Sequence, residues 1–104
     1  MDLPFDDEAV VELEAAAVWY ERERDGYGER FVDEVEARVQ RAAQFPGSGP
    51  RVLIAGLGSE FDVRRFPLNR FPYEVITAMV GEQRAVIAIA HMKRRPGYWR
   101  ERLQ

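Results

Sequence analysis

The sequence predicts an α+β fold: an N-terminal antiparallel helical hairpin packed on an antiparallel sheet of three to four strands, with a short C-terminal helix. Three observations predict it. Apolar residues recur at helical spacing through the first 45 positions. The pattern then shifts to short stretches rich in Val, Ile, Thr and Tyr. Breaks containing Gly or Pro separate the segments, at Asp25–Gly28, Pro46–Pro50 and Gly81–Gln83. At 104 residues the chain is expected to form one domain, 1–104.

Asp6 or Asp7 suits the N-cap of the first helix, because a short carboxylate can accept from the exposed first-turn N–H groups. Val10, Leu13, Ala17 and Tyr20 follow at helical spacing. Gly26 can take the left-handed conformation that ends a helix. The second helix carries Phe31, Val35, Val39 and Ala42 or Ala43, and Pro46–Pro50 cannot continue it. So short a turn between two helices makes them antiparallel.

Val52-Leu53-Ile54 reads as a strand or a loop packed on the core, before a turn at Gly56 and Gly58. Phe61–Phe66 is an expected strand that points Arg64 and Arg65 to opposite faces. Tyr73–Val80 and Arg84–His91 are the clearest strands and form a hairpin. Strict alternation puts Ile87, Ile89 and His91 on one face, with Val86, Ala88 and Ala90 on the other. Pro96 fits the first turn of a terminal helix reaching about Leu103. Met1–Phe5 is a candidate edge strand, weakened by Pro4. Trp19, Phe31, Val75, Ile87 and Ile89 are expected to share one core.

Composition excludes several classes. The absence of cysteine removes disulfides, thiol nucleophiles and thiolate metal sites, and fits a reducing cytoplasm. No apolar run approaches the roughly 20 residues that cross a membrane. The acidic start Asp2-Leu3-Pro4-Phe5-Asp6-Asp7-Glu8 does not read as a signal peptide. No His or carboxylate spacing argues for a metal, and the glycines lack the Lys-Ser/Thr of a phosphate-binding loop, so no cofactor is expected. The net charge of −3 hides a split. Residues 1–60 hold 6 Arg against 14 Asp/Glu, a balance of −8, and residues 61–104 hold 9 Lys/Arg against 4 Asp/Glu, a balance of +5. The basic part suits phosphate or an acidic protein.

Three blocks carry a family resemblance. They are Ala16-Ala17-Val18-Trp19-Tyr20-Glu21 with Gly26-Tyr27-Gly28-Glu29-Arg30-Phe31; Arg64-Arg65-Phe66 with Arg70-Phe71-Pro72-Tyr73; and Ile89-Ala90-His91 with Arg94-Arg95-Pro96-Gly97-Tyr98-Trp99 and Arg102. In order and spacing they resemble the RelE/ParE toxins of type II toxin–antitoxin systems. The resemblance implies a cytoplasmic bacterial toxin neutralised by a cognate antitoxin, with either of two targets. ParE-like members poison DNA gyrase, whereas RelE-like members cleave mRNA on the ribosome.

Cleavage by attack of a 2′-OH needs a base, an acid and cations around the phosphorus. His91, Tyr98 and Glu74 are the available proton carriers, and arginine suits phosphate through its planar fork. A ribonuclease would therefore use His91, Arg65 and Tyr98. Each has a structural reading beside it: His91 caps the last strand, Tyr98 ties down the chain end, and Glu74 faces water. A gyrase poison needs a shaped surface and no base. Arg64, Arg65, Arg70, Lys93, Arg94, Arg95, Trp99 and Arg100 are the candidates for contact with target or antitoxin. Lys93 is the only lysine, so the catalytic lysines of RelE-like members have no clear counterpart here. The ParE-like branch is therefore favoured, and a family member that only binds antitoxin is a third reading.

Overall fold

The computed structural model describes residues 3–103. Met1 and Asp2, part of the expected edge segment, lie outside the described residues.

Helix α1 spans Asp7–Glu23 and α2 spans Tyr27–Gln44. Asp6 caps α1, its carboxylate accepting from Glu8 N–H at 3.0 Å. Gly26 sits at φ +86° between the helices. The Glu21 carboxylate accepts from the N–H groups of Gly26 and Gly28. A negative charge thus meets the positive end of the α2 dipole. The second glycine has a different cause: a Cβ on Gly28 would lie 2.5 Å from the Ala17 carbonyl oxygen. The Gly-x-Gly word therefore encodes one backbone conformation and one close helix approach.

The inward face of α2 is the one read from the sequence, with Phe31, Val35, Val39 and Ala42 buried. In α1, Ala9 and Ala16 are buried, and Leu13, Ala17 and Tyr20 pack partly against the core. Trp19, expected in the core, is 56% exposed. Tyr20 takes the inward place instead, its ring 5.3 Å from Phe31. Val10, Val11, Val18 and Trp19 make α1 apolar on its outer side as well, so its periodicity does not select a single face.

Strands β1 (Arg64–Pro67), β2 (Tyr73–Val80) and β3 (Gln83–His91) form an antiparallel sheet in the order β1-β2-β3. Helix α1 lies over β3, and α2 over β2 and β1. Both faces of the sheet are covered. Phe31, Phe66, Val75, Val86 and Ile89 belong to the layer under the helices. Val63, Ile76, Ile87, Ala88, Ala90 and Trp99 form a second layer. The five expected core residues thus divide, with Ile87 in the second layer and Trp19 in neither. The cause is a β-bulge: Ile76 pairs with Ala88 and Thr77 with Val86, leaving Ile87 as the extra residue. Alternation slips there, so Ile87 and Ile89 face opposite ways.

The remaining segments refine the expected strands. Ser59–Phe61 is a 3₁₀ turn, so β1 starts only at Arg64. Val52-Leu53-Ile54 is a loop: Val52 N–H donates to Val63 O, and Val52 and Ile54 pack on the second layer. Phe5 makes a single parallel bridge to Val86, with Pro4 contributing only its carbonyl. The expected terminal helix is instead a turn followed by 3₁₀ residues Arg100–Leu103. Tyr98 N–H donates to Arg95 O across Pro96 and Gly97, and Gly97 has φ +79°. Pro followed by a left-handed Gly is a type II turn signature, and it interrupts an α-helix.

Candidate functional site

The sheet face away from the helices ends in an open groove of about 380 Å³ beside the C-terminal turn. Arg65 and Glu74 reach it from β1 and β2, His91 from the end of β3, and Arg94, Arg95 and Tyr98 from the segment that follows. Three separated parts of the sequence therefore converge. Arg65 Nη1 lies 3.2 Å from Glu74 Oε1. Arg65 is 43% exposed, so water screens this pair and it contributes little to stability.

His91 is held on two sides. Its ring stands edge-on to Tyr73, centroids 4.9 Å apart. Its Nδ1 accepts from Lys93 N–H at 3.0 Å. An Nδ1 that accepts leaves the proton of the neutral ring on Nε2, an assignment that follows from the hydrogen bond. Tyr73 belongs to an aromatic cluster with Tyr20, Phe31 and Phe71. Aromatic residues of the first two sequence blocks thus meet under the helices, and His91 of the third sits at the edge of their cluster.

Tyr98 is anchored by a residue that sequence reasoning missed. Glu12 on α1 accepts from Tyr98 Oη at 2.6 Å, from Arg102 Nη1 and Nη2 at 2.9 Å each, and from Ile89 N–H at 3.0 Å. Burial pushes the Glu12 carboxyl up, but the hydrogen bonds from Arg102, Tyr98 and Ile89 outweigh it and hold its pKa below the ordinary 4.5. Burial, and then the bond to Glu12, push the Tyr98 hydroxyl up. Arg102 also donates to Ile87 O. One carboxylate and one guanidinium therefore cover the outer edge of β3 and tie the C-terminal turn to α1. The sequence held a signal for this. Glu12 stands at helical spacing from Ala9 and Ala16 on the buried side of α1, and a charge there needs a partner.

Asp62 organises a second set of arginines. Its carboxylate receives Arg64 Nε at 3.0 Å and Arg84 Nη2 at 2.6 Å. Burial raises the Asp62 carboxyl, but these two arginines outweigh it and lower its pKa from the ordinary value. Arg64 also donates to the carbonyls of Gly47 and Gly49.

Not all of the candidate contact residues gather in the groove. Arg65, His91, Arg94, Arg95, Tyr98 and Trp99 do. Trp99 is only 3% exposed and packs in the second layer, so it is a wall of the groove and does not project from it. Arg64 is taken up by Asp62 and two carbonyls. Arg70 lines a different pocket, with Tyr27 and Asp33. Lys93 is exposed just after β3, and Arg100 Nη2 donates to Ala55 O. The Arg94 guanidinium lies 3.9 Å from the Tyr98 ring centroid, a cation–π contact. Among the described residues, Arg94 and Arg95 have no carboxylate partner, and no cluster of His, Asp or Glu could hold a metal ion. No described helix is long and apolar enough to cross a membrane.

No curated protein and no solved structure matches the chain. A family model does, over residues 3–96: that of the ParE toxin of type II toxin-antitoxin system, parDE. The match takes in the helical hairpin, the whole sheet and the basic segment behind β3, and on it the chain belongs to the ParE toxin family.

Proposed function

We propose that this chain arrests bacterial growth by poisoning DNA gyrase, acts in the cytoplasm, and is neutralised by a cognate antitoxin whose acidic segment lies in the Arg94–Arg95 groove. One observation carries the choice of target. The proton carriers near the groove are engaged within the chain, while its outer arginines Arg94 and Arg95 have no carboxylate partner among the described residues. Tyr98 donates to Glu12, Glu74 pairs with Arg65, and His91 presents a protonated Nε2 in its neutral form. A base for a 2′-OH needs an unprotonated atom facing the substrate. A protein-binding surface needs only exposed cations and apolar walls, and arginine beside aromatic rings is common at such surfaces.

The test is a paired assay on purified protein, measuring gyrase supercoiling and mRNA integrity on translating ribosomes. The expected result is lost supercoiling with intact mRNA. Codon-position cuts with normal supercoiling would overturn the reading and make His91, Arg65 and Tyr98 the first residues to mutate. Normal growth on overexpression would leave a chain that only binds antitoxin.

A further inference from the structure

Among the described residues, Glu74 is the only carboxylate that lines the groove. It stands on β2 opposite Pro67 of β1 and Ala90 of β3, and Arg65 stands opposite Ile76. Residues two apart on a strand share a face, so Arg65 reaches diagonally across the strands to Glu74. A single contact holds the pair, from Arg65 Nη1 to Glu74 Oε1. The other nitrogens of the Arg65 guanidinium have no partner among the described residues. Arg84 and Arg102 differ. Each bonds a carboxylate and a backbone carbonyl, and their side chains are 10% exposed against 43% for Arg65.

We infer that Glu74 is an internal competitor for the acidic group the groove takes: it occupies Arg65 until a partner's carboxylate displaces it. This rests on the reading above that an acidic antitoxin segment lies in the groove. Arg94 and Arg95 have no carboxylate partner among the described residues, so they meet an incoming acid at once. Arg65 has first to leave Glu74. An exposed pair with one contact is weak, so a second carboxylate can take its place. A guanidinium fork binds both oxygens of a carboxylate, and Arg65 has spent only Nη1. Once released, Glu74 repels the charge that displaced it. The groove therefore discriminates by charge density. A segment with one acid is met by the rim arginines, and only a run of acids also takes Arg65.

Fluorescence anisotropy with a labelled hexaglutamate peptide tests it, with hexaglutamine as the uncharged control. The wild type is expected to bind hexaglutamate only, and Arg94→Ala with Arg95→Ala to weaken that binding. Glu74→Gln is expected to tighten it about fivefold, the worth of one exposed ion pair. The gain should vanish in an Arg65→Ala background, because the two residues act as a pair. Unchanged affinity in Glu74→Gln, with binding still dependent on Arg94 and Arg95, would overturn the competitor and leave the groove as the acid site. Weaker binding in Glu74→Gln would overturn it by making Glu74 a contact for a donor on the ligand. A gain that persists without Arg65 would overturn the displacement, since Glu74 would then act through its charge alone. Binding that is absent throughout, or indifferent to Arg94 and Arg95, would remove the reading of the groove itself and this inference with it.

Discussion

Arg102 and Arg94 both place a guanidinium against the Tyr98 ring, at 5.2 Å and 3.9 Å, yet their surroundings differ. Arg102 is 10% exposed and pairs with Glu12; Arg94 is exposed and has no carboxylate partner among the described residues. The same contrast divides the arginines of the basic half. Arg64, Arg84 and Arg102 hold carbonyls and carboxylates of the chain itself. Arg94 and Arg95 stand on the groove rim. A balance of +5 over residues 61–104 therefore overstates the charge offered to a partner. The buried arginines belong to stability, and the rim arginines are the ones left for the binding proposed above.

The largest expected effect breaks the first group. Glu12→Ala removes four hydrogen bonds and leaves Arg102 only the Ile87 carbonyl and the exposed Glu8 carboxylate, at a cost of about 3 kcal/mol in urea unfolding. A loss below about 1 kcal/mol would mean that the C-terminal turn is held by packing alone. The pH dependence follows from the same residue. Its folded pKa lies below 4.5, so its stabilisation is complete above the unfolded value and is lost as pH falls through the folded one. The stability gap between wild type and Glu12→Gln should be widest near neutrality and narrow as pH falls below 4.5 and through the lowered folded pKa.

A smaller effect is expected at the other hub. Asp62 is one-third exposed, so Asp62→Asn should cost about 1–2 kcal/mol in the same measurement. Asn also tolerates the φ of +41° at this position. The smallest effect on stability sharpens the contrast. Arg94→Ala with Arg95→Ala should change it by about 0.5 kcal/mol or less. The same variant should weaken antitoxin binding and flatten its dependence on salt, since screening acts on exposed charges. Unchanged affinity in titration calorimetry would place the antitoxin elsewhere.

How much of this was legible in the sequence depended on the range of the interaction. The hairpin of helices, the Asp6 cap, the inner face of α2 and the β2–β3 pairing follow from spacings of a few residues. The outer face of α1 was misread because Trp19 and Tyr20 are adjacent and both apolar, and only packing against Phe31 decides between them. The bulge at Ile87 leaves no mark in a run of Val, Ile and Ala. Arg65, His91, Arg94, Arg95 and Tyr98 were named from composition and resemblance, and they do line one groove. Whether a given arginine is engaged depends on Glu12 and Asp62, whose partners lie too far along the chain for periodicity to pair them.

The Glu12 contacts also bear on the order in which the molecule assembles. Ile89, Tyr98 and Arg102 lie 77, 86 and 90 residues from Glu12, whereas the two helices meet through a turn of a few residues. Closing long loops is entropically costly, so local elements form first and such contacts later. A chain with its hairpin and sheet formed but its tail undocked has a core and no groove. Binding in this groove, as proposed above, would thus come with the last step of folding, and a small local opening of the tail would remove it while the rest of the fold persists.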